Sequence, residues 1–194
     1  MDSKATLRAR VRAARRARER ALTPAAAEAA AEALAAVAMA RPEVRAARLV
    51  ACYAAAPGEP DTGVLRRALR EAGAEVLLPV VDGPELDWAV DDGTTAPGRL
   101  GLPQPTGARL GTHAVAGCDL LLVPALAVDR SGARLGQGGG YYDRALAAGT
   151  GAPVVAVLHP EELLPAGSVP ALPHDVRVDA ALTSAGWTPL RGPR

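Results

Sequence analysis

The chain has 194 residues, 49% hydrophobic and 22% charged, enough to bury a sizeable core. Aromatic residues are only 3% and Phe is absent, so the core must be built from Ala, Val and Leu, and base stacking on aromatic rings is argued against. The net charge of +1 is uneven: residues 1–20 hold eight basic side chains (Lys4, Arg8, Arg10, Arg12, Arg15, Arg16, Arg18, Arg20) and two acidic ones (Asp2, Glu19), leaving the other 174 residues at −5.

Over residues 4–22, Leu7, Val11 and Ala14 share one helical face, while Lys4, Arg8, Arg12 and Arg15 follow another. A basic helix of this kind suits phosphate, nucleic acid or an acidic partner, or is only a solvated face, and the solvated face is the expected use of most of its arginines. The Arg- and Ala-rich start also has some likeness to an organelle transit segment. Thr23 and Pro24 supply an N-cap and a first-turn proline for a second helix over 24–40, with Ala30, Leu34 and Val37 turned inward.

Short β-like runs then alternate with helices. A strand is predicted over 47–53, and a helix over 62–72 with Val64, Leu65, Ala68 and Leu69 inward and Gly73 at its C-terminal cap. Strands over 75–81 and 86–90 follow. Residues 91–117, rich in Gly, Pro and Thr, read as an ordered loop over a site, with a disordered connection as the alternative. The continuous apolar run over 119–124 suits a strand buried on both faces; after it come a Gly-rich turn, a helix over 141–148 and strands over 154–158 and 178–182. This alternation predicts a single α/β domain over 1–194, with a helical element at 1–40 and a core at 45–185 on a mostly parallel sheet.

Cys52 and Cys118 sit in apolar stretches without metal-site spacing and read as buried free thiols of a reducing compartment, with no structural zinc. The apolar run at 120–128 falls short of the roughly 20 residues a bilayer demands, and Pro24, Glu28 and Glu32 interrupt the Ala-rich stretch at 21–40. A cytoplasmic protein is expected, with neither membrane nor nucleic acid as partner.

The segment GARLGQGGG, residues 132–140, frees the backbone to expose successive N–H groups and leads into a helix, an arrangement that can hold an anion. Arg134 adds a planar, permanently charged partner for phosphate oxygens, and Asp143 is a carboxylate suited to a magnesium ion. No G-x-x-x-x-G-K-[ST] and no G-x-G-x-x-G of a dinucleotide fold occurs, so general motifs stop at an anion site, and a tight turn is the plain alternative.

The whole string DRSGARLGQGGGYYDRAL, residues 129–146, resembles the signature segment of the 5-formyltetrahydrofolate cyclo-ligase family. Four further pieces agree in order: KATLR at 4–8 resembles the family's K-x-x-L-R element, PGEPDT at 57–62 its P-x-E-x-D-T segment, LPQP at 102–105 its I-P-E/Q-P turn, and HDVRVD at 174–179 its H-D-x-x-x-D element. The resemblance implies a three-layer, Rossmann-like fold similar to the NagB/RpiA/CoA-transferase-like proteins, preceded by two helices. It also implies ATP-driven closure of 5-formyltetrahydrofolate to 5,10-methenyltetrahydrofolate by a monomer that uses magnesium.

Residue by residue, it implies ATP contacts from Lys4, Arg8, Gln104, Arg134, Gly136, Gln137, Gly138, Gly139, Gly140, Tyr141 and Tyr142. Folate contacts would come from Glu59 and from the same three consecutive glycines and two tyrosines, with Arg134 and Tyr141 in catalysis and Asp143 and Asp175 on the metal. Asp179 reads as structural, and His113, His159 and His174 have no matched role. A non-catalytic folate or nucleotide binder and a basic-helix nucleic-acid binder are the alternatives. Where the family commonly carries aromatics near the folate, this chain has Val80, Val81 and Val128, so a differently lined pterin pocket is expected.

Overall fold

Ser3 opens the first helix by accepting a hydrogen bond from the Thr6 amide (3.1 Å), and α1 runs Lys4–Ala21. The computed structural model describes residues 3–98, 101–147, 151–172 and 175–190. In α1 the buried residues are Leu7, Val11 and Arg15, whereas Ala14 is exposed. The predicted apolar stripe therefore ends one residue early, because an arginine with a buried partner completes the packed face. Thr23 caps α2 (Pro24–Met39) through the Ala26 amide, with Pro24 at its first position. Ala31, Leu34, Ala35 and Ala38 are buried while Ala30 and Val37 are half-buried, so the inward face is rotated slightly from the predicted one. A short helix that the sequence pattern did not announce, α3 (Pro42–Ala46), follows.

β1 (Leu49–Ala51) is shorter than predicted, and α4 (Gly63–Glu71) ends at Gly73, whose φ of +89° suits glycine. β2 (Glu75–Val81) and β3 (Leu86–Val90) match their predicted bounds. The Gly- and Pro-rich stretch after them holds a small hairpin, β4 (Thr95–Pro97) with β5 (Pro103–Pro105), and a 3-10 turn at Ala114–Gly117. β6 (Leu120–Pro124), β7 (Ala127–Asp129) and β8 (Arg134–Leu135) lead into α5 (Tyr141–Ala147). The predicted last residue of that helix, 148, lies outside the described residues. β9 (Val154–Val157), β10 (Leu163–Leu164), β11 (Ala180–Thr183) and β12 (Gly186–Pro189) complete the chain.

The main sheet has the order β12-β11-β9-β6-β1-β2-β3. Its five inner strands are parallel, and both edge strands run antiparallel to their neighbours. Winding starts at β1, proceeds through β2 to the β3 edge, then returns to β6 on the other side of β1 and continues outward. The direction of winding thus reverses between β1 and β6, and the crevice at their carboxyl ends is where such folds bind ligands. α2, α3 and α4 cover one face over Val50, Val76, Leu122 and Val155; α5 and the 3-10 turn cover the other over Ala51, Leu77, Leu121 and Ala156. This is a three-layer α/β architecture. α1 lies on neither face: Leu7 and Val11 pack with Leu126, Ala127, Ala133 and Leu135 on a second sheet of order β10-β7-β8.

Cys52 and Cys118 are both buried and free, and burial pushes their thiols up to about 12 and about 11. A thiol reagent at neutral pH is expected to label neither until denaturant is added; rapid labelling of the native protein would contradict this burial. Among the described residues no helix is long and apolar enough to cross a membrane.

Candidate active site

At the carboxyl end of β1 the chain turns back on itself. The Glu59 amide donates to the Ala56 carbonyl (3.0 Å) with Gly58 at φ +79°, the hallmark of a turn with glycine in its third position. Glu59 in turn accepts from the Ala56 amide at 3.1 Å. Asp61 accepts from the first amide of α4, Gly63 (2.7 Å), which leaves Glu59 free of capping duty. Facing this turn, beyond Pro124 at the end of β6, is the Gly-rich segment. Between them lies a cavity of about 440 Å³, and every residue predicted for the site, Lys4, Arg8, Glu59, Gln104, Arg134, Gly136, Gln137, Gly138, Gly139, Gly140, Tyr141, Tyr142, Asp143 and Asp175, lines it.

Asp129 shapes the segment from beneath. It is 0% exposed and accepts from the Ser131 amide and hydroxyl and the Ala133 amide on one oxygen, and from the Gly167 and Val169 amides on the other. Burial pushes its carboxyl up, but the Ser131 hydroxyl and these amides outweigh that and hold it below the usual range. The turn delivers Arg134 on β8 with its side chain only 3% exposed. Its Nη1 donates to the Pro124 carbonyl (3.2 Å), its Nη2 to Asp143 Oδ1 (2.5 Å), and the Tyr142 ring centre lies 5.9 Å from Cζ. Arg134 Nε has no partner among the described residues. Gly138 and Gly140 have φ of +109° and +69°, a region costly for any other residue, and a Cβ on Gly139 would meet the Tyr141 ring at 3.0 Å.

α1 forms the third wall. Lys4 Nζ meets Asp175 Oδ2 at 2.6 Å, Arg8 Nε donates to the Gly136 carbonyl (2.9 Å), and Arg12 Nη2 donates to the carbonyl and side chain of Gln137 (2.7 and 3.1 Å). Arg15 forks onto Glu162, and Arg18 reaches Glu161 at 3.0 Å. Arg15 is buried and Arg8 and Arg18 are half-buried, so these three form the docking side of the helix and Arg15 departs from the solvated-face expectation, whereas Arg10, Arg12, Arg16 and Arg20 are exposed, as expected of most of the arginines. Gln137 Nε2 lies 3.4 Å from Glu59 Oε1 and bridges the two halves of the cleft.

Around the rest of the cavity, Pro79, Val81, Leu86 and Leu102 make an apolar wall; of the three valines noted in the sequence Val81 lines it, while Val80 and Val128 are buried in the core instead. Gln104, 8% exposed, presents an Nε2 with no partner among the described residues. Gly98 packs beneath it, where a Cβ would come within 2.1 Å of the Gln104 side chain and displace it. The Tyr142 hydroxyl is likewise buried without a partner among the described residues, and burial raises its phenol well above the usual range. Tyr141 donates to the Gly83 carbonyl (3.4 Å), with Arg144 stacked 5.1 Å from its ring. Burial raises the Glu59 carboxyl, opposed by the Ala56 amide and the Arg15 charge.

Asp143 and Asp175 border the same cavity, each beside a cation, and no group of three His, Cys, Asp or Glu stands together among the described residues. Two separated carboxylates fit an ion that arrives with phosphates and keeps several waters. Asp179 accepts from the Val154 amide (2.9 Å), a structural place. His159, whose ring meets the Gly58 carbonyl at 3.1 Å, is held below its usual range by burial. His113 precedes the 3-10 turn, and His174 lies outside the described residues. Arg15, Asp129 and Arg144 shape the site without standing out in the sequence; of the three, Asp129, in a D-x-S-G turn pattern, carries a local signal.

Fold and site together define a doubly wound α/β protein with a cationic, glycine-rich cleft at its switch point. A family model for the 5-formyltetrahydrofolate cyclo-ligase family matches residues 1–184. The chain is 44% identical over 145 residues to the 5-formyltetrahydrofolate cyclo-ligase of Mycolicibacterium smegmatis, covering 70% of this chain and 73% of that one. It is 43% identical over 81 residues to the mitochondrial 5-formyltetrahydrofolate cyclo-ligase of Arabidopsis thaliana, covering 37% and 29%. The NMR structure of Aquifex aeolicus 5,10-methenyltetrahydrofolate synthetase superposes with a TM-score of 0.80 at 27% identity, over 98% of this chain and 94% of that one. The chain belongs to the 5-formyltetrahydrofolate cyclo-ligase family.

Proposed function

We propose that this chain catalyses the ATP-dependent cyclisation of 5-formyltetrahydrofolate to 5,10-methenyltetrahydrofolate. The observation that carries the reading is the single cleft in which Arg134, Arg8 and Lys4 face Glu59 across the glycines. A formamide oxygen is a poor leaving group at neutral pH. Attack of that oxygen on the γ-phosphorus of ATP breaks the bond to the β-phosphate oxygen and releases ADP. The second folate nitrogen then attacks the activated carbon, loses its proton, and inorganic phosphate departs as the ring closes.

The protein's share is alignment and charge neutralisation. Arg134, fixed by Pro124 and Asp143, points its guanidinium at the transferring group, while Lys4 and Arg8 hold the remaining phosphates. The backbone at Gly138, Gly139 and Gly140 admits both ligands closely, and Tyr141 and Tyr142 close over them. Glu59 accepts from adjacent ring N–H groups of the pterin, and the free amide of Gln104 serves the nucleotide. A magnesium ion carried with the nucleotide would neutralise phosphate charge, with Asp143 and Asp175 as the carboxylates to hold it. We place the protein in the cytoplasm as a monomer, its free buried thiols fitting a reducing compartment.

The test is direct. Purified protein mixed with 5-formyltetrahydrofolate, ATP and magnesium should give the absorbance of the methenyl product, dependent on ATP. A folded protein that gave no ATP-dependent rise would defeat the proposal.

A further inference from the structure

Arg15 is the most buried charge of α1, 6% exposed, and its surroundings extend beyond the ion pair that neutralises it. Nε and Nη2 fork onto the two oxygens of Glu162 (2.7 and 2.8 Å), and Nη2 also donates to the Ala125 carbonyl (2.6 Å). Ala125 adjoins Pro124, whose carbonyl accepts from Arg134, so this bond pins the corner that holds the phosphate-side arginine. On its other flank, a Cβ placed on Gly58 would lie 3.5 Å from the Arg15 Cβ, so α1 backs the turn that presents Glu59. Glu162 reaches the same turn through His159: the His159 amide donates to Glu162 Oε2 (3.0 Å) and its ring meets the Gly58 carbonyl (3.1 Å).

Such a pair is a weak device for stability alone, since apolar residues of similar volume often serve as well or better. We infer that Arg15 is a positioning residue that holds the Arg134 corner and the Glu59 turn in register and keeps Glu59 ionised as a hydrogen-bond acceptor for the substrate ring. The groups facing Glu59 are Arg15 of α1, Glu162 beside β10, Tyr53 after β1, Tyr142 of α5 and the neutral Gln137. Of these Arg15 supplies the positive charge that opposes burial, and Glu162 acts weakly in the other direction.

The assignment rests on the cyclo-ligase reading for its assay, which is kcat, KM for each substrate, and the acid limb of kcat/KM for 5-formyltetrahydrofolate. In R15M/E162M, where an apolar pair replaces the ionic one, the folate KM should rise roughly tenfold, the worth of one charge-assisted hydrogen bond. Its acid limb should move to higher pH, because Glu59 loses its cation. In E162Q, which retains the Arg15 charge and removes a neighbouring anion, the limb should move to lower pH. Opposite movements are not produced by loosened packing. A double variant with wild-type KM and acid limb, or both limbs moving together, would overturn the assignment. Should the double variant not fold, R15K replaces it, with raised KM and an unshifted limb expected and wild-type KM overturning. If the wild-type protein showed no turnover, the cyclo-ligase reading would fall. The same opposite shifts would then be read from the Glu59 carboxyl by carbon NMR titration, their absence overturning the role of Arg15.

Discussion

Arg134→Ala is expected to lower kcat for ATP-dependent ring closure by about 10²–10³-fold, the range measured when a single preorganised donor to developing charge is lost. The expectation follows from its setting. The side chain is 3% exposed, held by the Pro124 carbonyl and Asp143, and stacked 5.9 Å from the Tyr142 ring, so its donors undergo little reorganisation when phosphate charge redistributes. A Cβ on Gly136 would already meet Nη1 at 3.3 Å, which shows how closely the backbone is fitted to the guanidinium. Truncation frees Asp143, but that carboxylate is 44% exposed and can be rehydrated, so the melting temperature should move far less than the rate. Arg134→Lys should not restore activity, because an ammonium cannot reproduce the planar fork. Kinetics at saturating ATP and a thermal melt on the same preparation settle the point: wild-type kcat in a folded R134A protein would remove Arg134 from the chemistry.

What could be read from the sequence was what is local. Thr23-Pro24 marks a helix start and Gly73 a helix end because capping acts through a few adjacent bonds, and β2 and β3 keep their predicted bounds because each is a short, mostly apolar run closed off by turn residues. The Gly-rich segment could be read as an anion site from its own residues, and its relation to Lys4, Glu59 and Asp175 only through resemblance, since nothing local joins positions so far apart. β7, β8 and β10, of two or three residues each, give no periodicity to detect. The long-range ion pairs were silent for the same reason. Arg15 looked like its neighbours in a basic helix until the fold brought Glu162 beneath it, and Asp91, 0% exposed between Arg66 and Arg70, sat in a stretch that read only as loop. Size and spacing turn Ala14 inward, yet the position that is buried is the charged one next to it.

Asp129→Ala should be the most destabilising single change near the site, at about 3–4 kcal/mol, because several buried donors lose their acceptor at once. The amides of Ser131 and Ala133 belong to the turn before Arg134, while those of Gly167 and Val169 belong to a loop that packs on α1 through Val169 beside Leu7 and Val11. One carboxylate therefore fastens both the Gly-rich segment and the strap that carries Lys4 and Arg8. Asp129→Asn retains the shape but offers a donor where one oxygen accepted, so it should fall between wild type and alanine in stability. The pH dependence has a definite sign. Because the folded carboxyl lies below its ordinary value, its contribution is fully present above the ordinary carboxylate range and is lost as pH falls through the folded value. Melting temperatures measured from neutral pH downward should therefore converge for wild type and Asp129→Asn in acid, the wild type losing more. Parallel curves would mean that the charge of Asp129 does not support the turn. At neutral pH, a raised KM for ATP in Asp129→Asn would tie that buried carboxylate to the phosphate side of the cleft, which it helps build without touching.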